Sequence, residues 1–289
     1  MRHLVLFLVG ILCSQIASAA DASWRPLFNG KDLSGWESYM AKPHASWDVP
    51  GLKRDTNGTY LEVIGKNRDP LKVFTVEKVD GQPAIHVSGQ GFGTITTTET
   101  FTNYHLRLQV KWGEQRWGSR ANSVRDAGLL YFVHGEPGFR SETWPRSIEF
   151  QIQEHDFGDL YAIASQITVP ARKEMQGTNR VFYFYDPNAE PTLFLEKKPV
   201  GNRCRRSVDA EKPRGEWNTL ELICFNGDSI HIVNGQVVMR LHNAQRLDGP
   251  TPEPLVSGAI SLQTEGAELF YRNVEIQPIE KIPAEFVEH

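Results

Sequence analysis

The chain has 289 residues, with 35 acidic and 31 basic side chains, a formal charge of −4 and an isoelectric point near 6.2. That balance makes no electrostatic case for nucleic acid or acidic lipid, both of which need a concentrated positive field. Its three cysteines lack metal-type spacing.

Arg2 and His3 give a short basic start, residues 4–11 are apolar but too short to span a bilayer, and Ala17-Ser18-Ala19 fits a small-x-small cleavage site. Residues 1–19 are therefore expected to be a bacterial-type signal peptide, and 20–289 one domain in the periplasm or outside the cell. Cys13 follows Leu12, a poor residue before a lipidated cysteine, so lipoprotein processing is the lesser alternative. No other apolar run is long enough for a membrane span. The remainder, about 270 residues, allows one large all-β domain or two small ones. No linker, repeat or low-complexity stretch divides it.

Strand patterns dominate from there on. They fall at 74–79, 84–88, 94–98, 104–112, 129–134, 148–153, 219–225, 229–233, 237–241, 259–263 and 269–277. Asp80-Gly81, Asn226-Gly227 and Asn234-Gly235 are hairpin turns, since Asx-Gly pairs tolerate positive φ. Residues 217–241 thus form a three-stranded meander. Long loops are expected at 113–127, 135–146 and 165–181, where function often resides. Many short strands and few helices imply an all-β sandwich or jelly roll.

Ser147 to Asp156 is the most informative stretch. As a strand it places Glu149, Gln151 and Gln153 on one face and Ile148, Phe150 and Ile152 on the other. Glu149 and Glu154 would face opposite ways unless a β-bulge intervenes. Paired carboxylates on one sheet face suit acid, base or nucleophile roles in sugar chemistry. The plainer alternative is a half-exposed strand with a polar solvent face. Trp112, Trp117, Trp144, Tyr131 and Tyr161 fall near this strand or its loops, where rings either pack on sugar or fill the core. Arg203, Arg205 and Arg206 read as a solvated basic loop. Cys204 and Cys224 are compatible with a disulfide or with buried thiols.

Three stretches carry a family resemblance. Leu27-Phe28-Asn29-Gly30-Lys31-Asp32-Leu33-Ser34-Gly35-Trp36 resembles the opening signature of the 3-keto-disaccharide hydrolase family, also described as the 3-keto-glucoside 1,2-lyase and 3-keto-2-hydroxy-glucal hydratase domain. Gly215-Glu216-Trp217-Asn218 with Val233-Asn234-Gly235-Gln236-Val237 is similar to its late hairpin. Gly258 to Gln263 with Phe270-Tyr271-Arg272-Asn273-Val274 is similar to its closing strands. In the centre, Arg125 to Leu130 and Ser147 to Gln151, then Glu154 and Gly158-Asp159, follow the family's Glu-x-Gln strand in variant form. The resemblance implies a concanavalin-A-like, two-sheet jelly-roll sandwich whose polar strand lines the concave face. Glu149-x-Gln151-x-x-Glu154 also resembles the Glu-x-Asp-x-x-Glu strand of laminarinase-type glucanases, with the middle Asp replaced by Gln.

What the family resemblance implies for chemistry is a small carbohydrate substrate with a ketone at C3. The ketone acidifies the C2 hydrogen, so a base can remove it and expel the C1 substituent; water can then add to the unsaturated product. Such a site needs a base over C2, an acid near the glycosidic oxygen and donors around the C3 oxygen. Glu149, Glu154 and His155 are the catalytic candidates. Gln151, Arg125, Asp126, Lys111, Trp117 and Asp159 are the binding candidates, with His134 a weaker one. No cofactor is required and no dinucleotide fingerprint appears; a separate sugar 3-dehydrogenase would make the ketone. A divalent metal on Glu149, Glu154, Asp156 or Asp159 would be calcium or magnesium, since the ligands are all oxygens. Two alternatives stay open: a non-catalytic carbohydrate-binding jelly roll, and a conventional retaining glycoside hydrolase using Glu149 and Glu154.

Overall fold

Alternation decides which side of each strand is buried. In Tyr104–Arg116, Leu106, Leu108, Val110 and Trp112 point into the core while Arg107, Gln109 and Lys111 do not. In Arg146–Gln151, Ile148 and Phe150 are fully buried against the opposite sheet. The computed structural model describes residues 23–177, 179–197 and 199–288; the expected signal peptide, 1–19, lies outside them.

Two antiparallel sheets face each other. The main path of the larger one runs Arg180–Tyr185, Ser165–Gln176, Gln236–Arg246, Asp228–Val233, Asn218–Phe225, Tyr104–Arg116, Ala267–Pro278, Gln82–Val87 and Phe74–Val79. The smaller one runs Arg203–Cys204, Leu160–Ile163, Arg146–Gln151, Gly128–His134, Ala259–Glu265, Phe92–Thr97, Trp36–Met40 and Gly65–Lys66. The late strand Ala259–Glu265 lies between two early ones, so the chain crosses between sheets rather than meandering within one. This is the all-β, two-sheet jelly-roll sandwich expected from the sequence.

All three Asx-Gly turns carry positive φ at both central residues, as tight hairpins require: Asp80 and Gly81 at 50° and 79°, Asn226 and Gly227 at 51° and 86°, Asn234 and Gly235 at 50° and 81°. The meander through Asn218–Phe225, Asp228–Val233 and Gln236–Arg246 follows from them. The segment expected as a loop at 165–181 is instead a long strand, Ser165–Gln176, entering a hairpin with Arg180–Tyr185. Its second half, from Arg172 to Gln176, is exposed on both faces, so no alternation marks it. The polar strand ends at Gln151, not Gln153, and a turn follows.

The sandwich interior also holds polar groups that fix the polar strand from behind. His231 stacks on Phe150 with ring centroids 4.3 Å apart, shares a hydrogen bond with the Tyr131 hydroxyl at 3.0 Å, and meets the Gly158 carbonyl at 2.9 Å. Burial pushes its imidazole down to about 4, so it is neutral there. Cys204 and Cys224 are both free, buried thiols, one in each sheet. No helix among the described residues is long and apolar enough to cross a membrane.

Candidate active site

On the outer face of the smaller sheet, Glu149 pairs in register with Leu130 on one side and Tyr161 on the other, while Gln151 pairs with Gly128. Across Gly128–His134 lies Ala259–Glu265, whose alternation sends Ile260 and Leu262 to the core and Gln263 and Glu265 toward Glu149. The result is a cleft of about 270 Å³ lined by Arg120, Asp126, Glu149, Gln263 and Glu265, with Trp144 and Tyr161 on its walls. Leu130, Val133, Ile163 and Ala259 pack with those two rings into an apolar bed beside it.

Gly128 lies directly beneath Glu149 and Gln263, two residues of the cleft wall. A methyl there would fall 2.5 Å from Gln263 Oε1, 3.0 Å from Glu149 Cδ and closer still to Glu149 Oε1. Only a residue without a side chain lets both groups fold over the strand. Gln263 Oε1 is buried without a hydrogen-bond partner among the described residues.

The electrostatics are unusual for a surface of this net charge. Glu149 makes no hydrogen bond or ion pair with the described residues and is 6% exposed. Burial holds its carboxyl well above the usual range, repulsion from Glu265 and Asp126 adds to this, and Arg203 and Arg140 offset it only in part. Its environment therefore favours the protonated, neutral form. Asp126 and Glu265 share one cation: Arg120 Nη2 donates to Asp126 Oδ2 and, at 2.6 Å, to Glu265 Oε1. Gln153 Nε2 also donates to Asp126 Oδ2, at 2.8 Å, while Asp126 Oδ1 is buried without a partner. Burial first, then the neighbouring Asp126, pushes Glu265 up to about 7 against the pull of Arg120; burial likewise raises Asp126. Asp126 and Glu265 therefore titrate as a pair, beside an acid whose burial favours its protonated form.

The structure gathers only some of the residues expected from the sequence. Glu149, Gln151 and Asp126 line the cleft. The Gln151 amide oxygen accepts the Ile152 N–H at 2.9 Å, which turns the chain at the strand end. Glu154 does not join Glu149. No bulge brings it round; it lies in the turn after the strand, accepting the Arg125 backbone N–H at 2.8 Å and Arg125 Nη1 at 3.0 Å. Arg125 also donates to the Gly113 and Glu114 carbonyls, so this pair ties two loops together. His155 is exposed at φ 71°, with its backbone N–H donating to Glu211 at 2.6 Å. Lys111 is on the larger sheet, 3.0 Å from Asp80. Trp117 lines a neighbouring cavity. His134 lines a third cavity, its Nδ1 2.9 Å from the Phe132 carbonyl.

Asp159 is fully buried and bound by Arg203 at 2.7 Å and Arg206 at 3.3 Å. Those arginines are thus structural partners rather than a solvated basic loop, and Arg203 extends its charge toward Glu149. The four oxygen donors considered for a metal do not converge: Glu154 faces Arg125, and Asp156 and Asp159 face Arg203 and Arg206. Among the described residues no group of three or more His, Cys, Asp or Glu is placed to hold a metal ion.

Glu265, Arg120, Arg140 and Gln263 are the site residues that sequence reasoning missed. The alternation Ile260-Ser261-Leu262-Gln263-Thr264-Glu265 contains the signal, because it repeats the polar-face pattern of the Glu149 strand. Arg120 and Arg140 sit in loops and carry no such signal.

The profile of the 3-keto-alpha-glucoside-1,2-lyase-like domain matches residues 23–277. No protein with a curated description matches the chain. Among solved structures it is similar to a Parabacteroides distasonis ATCC 8503 protein provisionally named a glycosyl hydrolase, at 19% identity over 89% of this chain and 94% of that one, with a TM-score of 0.47. It is also similar to the carbohydrate-binding module CBM66 from Bacillus subtilis (9% identity, 71% and 91% covered, TM-score 0.38) and to a Bacillus licheniformis beta-glucanase (10%, 91% and 100%, TM-score 0.37).

Proposed function

The chain belongs to the family of 3-keto-alpha-glucoside-1,2-lyase-like domains, and from that premise we propose that it cleaves 3-keto-glycosides by removing the C2 proton and eliminating the C1 substituent. The observation that carries this reading is the pairing of two kinds of carboxyl group in one cleft. Glu149 is buried without a partner, which favours its protonated form, and Glu265, joined to Asp126 through Arg120, is pushed up to about 7. A buried carboxyl with no partner is costly to keep in a fold, and strongly perturbed groups in a cleft mark functional sites. Two carboxyls whose environments separate their proton affinities supply an acid and a base.

In this reading Glu265 takes the C2 proton. The C2–H electrons flow toward the C3 ketone as an enolate, whose negative charge the Arg120 and Arg140 guanidiniums at the cleft stabilise. The enolate then collapses to a C1–C2 double bond, the C1–O bond breaks, and the leaving oxygen takes the Glu149 proton. Water adding to the unsaturated keto-sugar would complete a net hydrolysis. No step transfers electrons to a nicotinamide, so the ketone is made beforehand by a separate sugar oxidation. Export through residues 1–19 belongs to the same reading and rests on the sequence pattern alone.

A retaining route through Glu149 and Glu154 would need the two side by side, and Glu154 is held by Arg125 instead. Incubating the protein with a 3-keto-glycoside and with its unoxidised parent tests the proposal: cleavage of the keto-sugar alone supports it, and cleavage of the parent alone refutes it.

A further inference from the structure

A second cavity adjoins the acid cleft. It measures about 700 Å³ and is lined by Lys42, His44, Trp47, Phe92 and Trp117. Three features join the two spaces. Phe92 on the cavity wall meets Trp144 on the cleft wall, ring centroids 6.2 Å apart. Glu265 in the cleft is followed directly by Gly266 in the cavity. The single turn Gly118–Arg120 is flanked by Trp117 on the cavity side and ends in Arg120 on the cleft side, closed by the Arg120 N–H donating to the Trp117 carbonyl at 2.9 Å. The Trp117 N–H donates to the Gly266 carbonyl at 2.7 Å. Gly266 has φ +79°, and a Cβ there would stand 2.8 Å from Arg120 Cγ and 3.1 Å from the Trp117 carbonyl oxygen. The seam between the spaces thus requires glycine.

The lining indicates what fits. Trp47, Trp117 and Phe92 offer apolar ring faces, and three of the polar side chains are already engaged, which leaves the Thr59 and Ser119 hydroxyls and the Trp47 indole N–H. Lys42 pairs with Glu142 at 3.2 Å, His44 Nδ1 with the Ser46 hydroxyl at 2.7 Å, and the Trp117 indole N–H with the Ser88 carbonyl at 2.8 Å. A second hexose carries hydroxyls around its edge that need partners once buried. An aromatic ring needs none and gains from stacked or edge contacts. We infer that this cavity is the leaving-group subsite of the acid cleft and takes an aryl-bearing aglycone. The inference rests on the cleavage reading above, with the scissile C1–O bond at the seam.

Benzyl and methyl 3-keto-glucosides of one anomer release alcohols of near-equal acidity, so the ratio of their kcat/KM values reads the cavity rather than the leaving group. The wild type is expected to prefer the benzyl compound by about tenfold to a hundredfold. Trp47→Ala collapses that preference and Trp47→Phe keeps most of it. Saturable quenching of tryptophan fluorescence by benzyl alcohol gives a readout on the wild type that needs neither turnover nor a folded variant. Equal kcat/KM values with no saturable benzyl alcohol binding would overturn the subsite and leave the cleavage reading standing. Turnover of neither substrate, with benzyl alcohol binding that Trp47→Ala abolishes, would keep the aryl site and remove the reaction. Preference for a glucosyl over a benzyl leaving group would assign the cavity to a second sugar and overturn the inference.

Discussion

The Glu149 carboxyl folds directly over Gly128, so closely that a methyl on that glycine would collide with it and with Gln263. Gly128 is therefore a site residue although it has no side chain. Gly128→Ala is expected to displace both groups, cost roughly 1–3 kcal/mol of stability through overpacking, and lower kcat by more than about tenfold because the acid is misplaced. Thermal melts and steady-state kinetics on the same variant check both parts. A variant with full activity would show that Glu149 has no need of its present position.

Glu149 should also appear in the pH dependence of stability. Its proton affinity in the folded protein lies above that of an unfolded carboxyl, so between those two values the native state holds more protons and stability falls as pH rises. Glu149→Gln removes this loss. The variant should be more stable than the wild type at pH 8, by about 1 kcal/mol or more, which is about 2–4 °C in Tm per kcal/mol at this size. The difference should shrink at pH 4, below the unfolded value. Equal Tm differences at both pH values would contradict a buried neutral acid.

Activity should rise as the Asp126–Glu265 pair loses its proton, with an ascending limb near 7, and decline where Glu149 ionises. Glu265→Gln is expected to lower kcat by ~10²–10⁴. Arg120→Met removes the cation that favours ionisation, so its residual activity should show the ascending limb at higher pH. A limb that stays in place would mean that this pair is not the base.

Glu154 and Arg125 should behave as a structural pair. Glu154→Gln leaves Arg125 with a weaker partner and is expected to cost roughly 1.5–3 kcal/mol, the usual range for a charge-assisted hydrogen bond. It should change kcat by less than about tenfold, below the effect of losing a proton-transfer group. Melting temperature and kcat measured together separate this from a catalytic role.

Much of this was legible in the chain, and the gaps have physical causes. Period-two alternation at Ile148, Glu149, Phe150 and Gln151 indicated which side chains leave the sandwich core for the outer face of the sheet, because one face had to pack against the opposite sheet. The Asx-Gly pairs announced hairpins through their backbone freedom. Asp126 does join Glu149 and Gln151 in one cleft, but most other pairings across sequence distance were not legible. Nothing local tells that Glu154 turns back to Arg125, or that Glu265, over a hundred residues from Glu149, faces it across Gly128. Lys111 had the charge for a substrate contact but lies on the sheet that faces away. The exposed half of Ser165–Gln176 pairs through its backbone, which leaves no mark on side-chain pattern.

Proton exchange at C2 tests the central claim most directly. The wild-type protein is incubated in heavy water with a 3-keto-glycoside, and substrate and product are examined by NMR or mass spectrometry. The account predicts deuterium at C2 in recovered keto-sugar or hydrated product, loss of both exchange and cleavage in Glu265→Gln, and no reaction with the unoxidised glycoside. Cleavage of the unoxidised glycoside without any incorporation at C2 would contradict it.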